Sequence, residues 1–155
     1  MTDLTARRAT NLGRLMFRGY RAINARLLDE LGAAGHTALR LGHVAVLSNL
    51  DLDQGTRLVT LAERAGVTKQ AIGPVVRELE GLGYVQTTAD PHDGRAKRVI
   101  LTPSGRQVID QAQPLIDRIE DSVRAHLQPA GFETLTALLS QLLNGFDEGD
   151  AHPQH

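Results

Sequence analysis

The stretch that leaves this chain least choice of fold is residues 60–106, TLAERAGVTKQAIGPVVRELEGLGYVQTTADPHDGRAKRVILTPSGR, where the apolar spacing changes from helical to strand-like and back. Thr60 and Glu63 form a T-x-x-E capping box that starts one short helix. Gly66 offers the left-handed residue that ends it, and Thr68 can cap a second helix. Two helices joined by so tight a turn make a helix-turn-helix, the arrangement that lays its second helix in a DNA major groove.

The second helix sorts its residues onto two faces. Ile72, Val75, Val76, Leu79 and Leu82 form one apolar stripe for a core. Thr68, Lys69, Gln70, Gly73 and Arg77 lie on the other side. They offer a cation for phosphate, an amide able to bond a base edge, a glycine that permits close approach, and a guanidinium. Pro74 sits among them. Beyond the first turn a proline removes a helical hydrogen bond, so the helix must bend there or start late with Gly73 as its cap; the bend is the expectation, since Thr68 is a good cap.

After Gly83 the pattern becomes strand-like, YVQTT leading in and KRVIL leading out, with ADPHDGRA expected as a long loop between them. This hairpin carries His92 and Arg95 at its tip, with Lys97 and Arg98 behind. An arginine there suits a minor groove and the strand cations suit phosphates. Thr102-Pro103, an N-cap followed by proline, launches another helix.

Residues 61–85 and the segment D-P-H-D-G-R-A-K-R-V-I-L-T-P-S-G at 90–105 resemble the MarR-type winged-helix transcriptional regulators. The wing pattern of Asp93, Arg95, Leu101-Thr102 and Gly105 carries the resemblance; Pro74 departs from it. The resemblance implies a homodimeric repressor that binds a pseudo-palindromic operator in double-stranded DNA. It also implies a small aromatic or anionic effector entering a crevice between the dimerisation helices and the DNA-binding lobe, with Arg14, Phe17, Arg18 and His43 as the lining candidates.

The outer segments read as helices: a stripe through residues 8–31, a second helix around Leu39–Leu50, a long helix from Val108 to Leu127 bent at Pro114, and a last one from Phe132 to Phe146. They carry more apolar surface than a winged helix of this size needs, which points to a second copy; the alternative is a bundle within one chain. The expected fold is mainly α with a small β-hairpin wing. Residues 1–36 form an N-terminal dimerisation helix, 37–106 the winged lobe, 107–146 the C-terminal dimerisation helices and 147–155 a disordered tail.

A formal charge of −1 looks wrong for a DNA binder until it is divided along the chain. Residues 68–106 hold six cations against four acids, and 107–155 hold two against eight. Positive charge gathers where the motif expects contact. The absence of cysteine excludes disulfides, Cys-based zinc fingers and a thiol switch. No apolar run suits a signal peptide or membrane span, so a cytoplasmic protein is expected. No catalytic motif, cofactor site or metal site is found, and the chain reads as no enzyme. The rival reading is a winged-helix module that docks on protein, against which stands a candidate face without aromatic anchors.

Overall fold

The structure, a computed structural model, describes residues 11–91 and 93–150, with side chains as far as Phe146. His92, residues 8–10 of the expected first helix and the last five residues of the expected tail lie outside the described residues. Helix α1 spans Leu12–Ala33 and α2 Leu41–Leu47; strand β1, Thr56–Arg57, leads into α3, Leu58–Arg64, and α4, Lys69–Gly81. Strands β2, Val85–Asp90, and β3, Asp93–Leu101, precede α5, Pro103–Asp150. Contacts divide the chain into two units, Met1–Ile116 and Asp117–His155. Among the described residues no helix is long and apolar enough to cross a membrane.

The core of the first unit is built on most of the expected stripe, Val75 being half-buried and Leu82 exposed. Leu61 and Ala62 of α3, Ile72, Val76 and Leu79 of α4, and Val85 and Val99 of the sheet are all buried, joined by Val46 and Leu47 of α2 and Val108 of α5. The α3–α4 turn closes through Gly66 at φ +65°, a backbone that an L side chain adopts only with strain. Its successor Thr68 caps α4 by accepting from Ala71 N at 3.1 Å.

Three expectations change. The helix before the turn starts at Leu58, two residues ahead of Thr60. Thr56 and Arg57 pair with Val99 and Arg98, holding the chain extended up to the point where the helix begins. The hairpin therefore gains a third strand, giving an antiparallel sheet in the order β1-β3-β2. The expected loop 89–96 is mostly strand: Asp90 pairs with Asp93, with a register irregularity between Ala89 and Asp90. The expected boundary between Leu127 and Phe132 is present: Pro114 keeps helical φ/ψ, whereas the backbone leaves helical geometry at Gln128, φ 61° and ψ 156°. The reason is Pro129, whose ring disfavours the α conformation for the residue before it. Beyond this break the backbone stays helical to Asp150, into the expected tail.

Two buttresses set the root of the wing. Thr102 caps α5 by accepting from Gly105 N at 3.0 Å and donates its hydroxyl to the Gly83 carbonyl at 2.6 Å. His36 lies between the Tyr84 hydroxyl, 2.8 Å away, and Gln111 Oε1, 2.7 Å away, tying the α1–α2 loop to the wing root and to α5. The Asp51 carboxylate turns the chain before β1 by accepting from Asp53 and Gln54 N–H. Those two bonds, Gln54's first, hold it below the usual Asp range.

Gly105 is a packing requirement, because a Cβ there would run into the carbonyl of Tyr84. Gly105→Ala should destabilise the fold by about 1–3 kcal/mol in urea unfolding. Gly81→Ala, whose Cβ meets nothing within 4 Å, should be neutral or stabilise by up to about 1 kcal/mol.

Candidate nucleic-acid interface

Helix α4 buries Ile72, Val76 and Leu79 and turns Lys69, Gln70 and Arg77 outward, with Gly73 half-buried between them. Its orientation is held from two sides. His43, 1% exposed on α2, has both ring nitrogens occupied: Arg40 N donates to Nδ1 at 3.2 Å, and Nε2 meets Glu78 Oε2 at 3.0 Å. A backbone N–H can only donate and a carboxylate can only accept, so the proton sits on Nε2. The Arg40 guanidinium donates to the same Glu78 oxygen. Towards the wing, Glu80 Oε1 accepts from Thr87 N at 2.6 Å and fixes the end of α4 to β2.

A cavity of about 500 Å³ opens between α4 and the wing. Gly73, Arg77 and Glu80 line one wall; Thr88, Arg95 and Lys97 line the other. Among the described residues, no side-chain hydrogen bond or ion pair engages Lys69, Arg77, Arg95 or Lys97. The backbone N of Arg95 donates to Asp93 Oδ1 at 3.1 Å and shapes the hairpin tip.

Arg98 behaves otherwise. It was expected at phosphates, yet its Nε and Nη2 donate to Asp90 Oδ2 at 3.2 and 3.0 Å and its Nη1 donates to the Gln54 carbonyl at 3.0 Å. The cause is Asp90, whose side chain is wholly buried and cannot stay ionised without partners. Arg57 supplies the second, Nε to Oδ2 at 2.7 Å, and this bond and charge raise the Arg57 pKa above its ordinary value. Nothing in the sequence pattern separated this arginine from Lys97. The signal missed was Asp90, assigned to a turn.

The four effector candidates are not gathered together. Arg14, Phe17 and Arg18 lie exposed on α1, whereas His43 is buried against Glu78. A second cavity, about 350 Å³, is lined by Leu27, Leu31, Leu47 and Val108 among others, with Ser48 and Gln113 as its polar residues, and none of the four faces it.

A family model described as the MarR family matches residues 37–96. The chain is 32% identical over 117 residues to the HTH-type transcriptional repressor Rv2887 of Mycobacterium tuberculosis (strain ATCC 25618 / H37Rv), covering 75% of this chain and 81% of that protein. The crystal structure of Rv2887 in complex with salicylic acid is similar at TM-score 0.63 and 28% identity, over 86% of this chain and 96% of that one. The transcriptional repressor CouR bound to a 23-mer DNA duplex shares the fold at TM-score 0.73 and 23% identity, over 88% and 95%.

Removing Asp90 should loosen the wing while removing Lys97 should not. Asp90→Ala strands two guanidiniums and should cost about 1.5–3 kcal/mol. Lys97→Ala should leave the unfolding midpoint unchanged and lower only affinity for duplex DNA.

Proposed function

This chain belongs to the MarR family of winged helix-turn-helix transcriptional regulators, and we propose from that premise that it works as a homodimeric, effector-responsive repressor at a pseudo-palindromic operator. It is a DNA-binding regulator and not an enzyme. The observation that carries the reading of the site is the set of uncommitted cations: Arg77, Arg95 and Lys97 line the groove beside α4, and Lys69 is exposed at the start of that helix. Gln70 and Gly73 face the bases, Thr68 and Lys69 hold the backbone at the start of the helix, and Arg95 enters the minor groove. His92, close to Arg95 in the sequence, joins these contacts. Arg98 acts at one remove, through Asp90. The site of action is the cytoplasm, where such a regulator meets its DNA.

Dimerisation rests on apolar surface. The stripe that is buried at Leu27 and Leu31 continues along α1 as exposed Ile23, Tyr20, Met16 and Leu12, and α5 exposes Leu135, Leu138, Leu143 and Phe146. Surface of this kind on a small chain marks an interface, and a second copy gives two recognition helices for two half-sites.

For the effector we propose the second cavity. Its volume suits one small ring, its wall is apolar, and Ser48 and Gln113 supply polar contacts. The Rv2887 structure holds salicylic acid, a ligand of this size class. Arg14, Phe17 and Arg18, exposed on α1 away from this lining, are left to the part of α1 that dimerisation covers. Binding shifts DNA affinity only as far as the effector prefers the dimer geometry that does not match the operator.

Light scattering at micromolar concentration should give a dimer, and a monomer would refute the interface. Affinity for duplex DNA should fall steeply with salt. Arg95→Ala should weaken binding most on A·T-rich flanks, whereas Gln70→Ala should relax base preference by about 1–3 kcal/mol. An equal loss on all sequences for Gln70→Ala would mark it as a phosphate-positioning residue.

A further inference from the structure

Helix α4 runs from Lys69 to Gly81 with Pro74 inside it and Thr68 capping its start, so the late start that Gly73 could have capped does not occur. In an α-helix the carbonyl of Gln70 takes the N–H of residue 74, and proline has none. The helix therefore contains one carbonyl with no helical partner four residues on. Carbonyls point towards the helix C-terminus, which aims this one at Gly73 and Pro74. Pro74 is exposed and Gly73 lines the groove between α4 and the wing. Residue 73 brings no side chain to shield the main chain there, and outside the helix's own backbone a Cβ on it would meet Arg77 Nη1, at 3.6 Å.

We infer that the Gln70 main-chain carbonyl, released by Pro74 and uncovered by Gly73, is a base-reading acceptor of the recognition helix. This rests on the reading of α4 as the helix that enters the major groove. The chemistry selects the target. A carbonyl only accepts, and a phosphate diester has no hydrogen to give, so the backbone of DNA cannot satisfy it. In the major groove the donors are the exocyclic amines, N4 of cytosine and N6 of adenine. Unpaired in water the carbonyl is solvated, but once DNA excludes that water an unmatched base leaves it without a partner. One half-site position should thus demand cytosine or adenine through the main chain, independently of the Gln70 amide.

The test starts from operators selected out of a random duplex pool with the full-length protein. In the preferred half-site each adenine is replaced by purine and each cytosine by 2-pyrimidinone, one at a time, deleting single amines. Wild type should lose roughly 5- to 150-fold in affinity at the position read by the carbonyl. Gln70→Ala, which keeps the carbonyl, should retain that sensitivity; Pro74→Ala, which restores the N–H, should lose it. Sensitivity that disappears in Gln70→Ala, or persists unchanged in Pro74→Ala, overturns the inference. Should Pro74→Ala lose DNA altogether, Gly73→Ala keeps the proline and lays a methyl over the carbonyl. It must then lose the same position and no other, or the inference fails. Wild type that selects no sequence and binds duplex DNA at no salt concentration would instead refute the regulator reading itself.

Discussion

The buried carboxylate of Asp90 is the interaction on which the DNA-facing half depends. It lies at the end of β2, receives Arg57 from β1 and Arg98 from β3, and so joins all three strands at one oxygen. Interior ion pairs of this kind contribute little net stability once desolvation is counted; what they supply is a unique arrangement, since any other register would leave a charge without a partner. The wing is short enough to need that. The two residues of β1 could not hold a fixed angle through backbone pairing alone.

With the wing fixed, the division of labour among the cations follows. Arg57 and Arg98 are consumed inside the protein, and Arg77, Arg95 and Lys97 remain at the groove. A count of basic residues along the segment does not make that distinction. The same economy holds α4 in place: Glu78 serves His43 and Arg40 and Glu80 serves the Thr87 amide, so both acids of the helix are engaged within the protein. The chain's slight net negative charge coexists with an uncommitted positive face because the acids near that face already have partners.

Much of this was legible before any coordinates. Periodicity placed Ile72, Val76 and Leu79 in the core, Gly66 and Thr68 at the turn, and Thr102-Pro103 at the start of α5, because each of these depends on local backbone chemistry that a short window contains. What escaped depends on residues far apart. Thr60 looked like a cap until Thr56 and Arg57 were paired with β3, more than forty residues away. Arg98 looked like a phosphate ligand until Asp90 was found buried beside it. The break between Leu127 and Phe132 was legible in the apolar spacing, but its cause was not: the bend was expected at Pro114, while the residue whose conformation gives way is Gln128, under the constraint of Pro129. A proline near a helix end and one within it look alike in sequence, and only the chain's path decides which distorts it.

The contact between Gly105 and the Tyr84 carbonyl has a mechanical consequence. Backbone touches backbone there with no side chain to act as a cushion, while Thr102 and His36 lock the same junction from either side. A joint without compliance passes on displacement in full. Any rotation imposed on the first turns of α5 must swing the root of the wing through the same angle, so the hairpin tip, being farthest from the pivot, travels most.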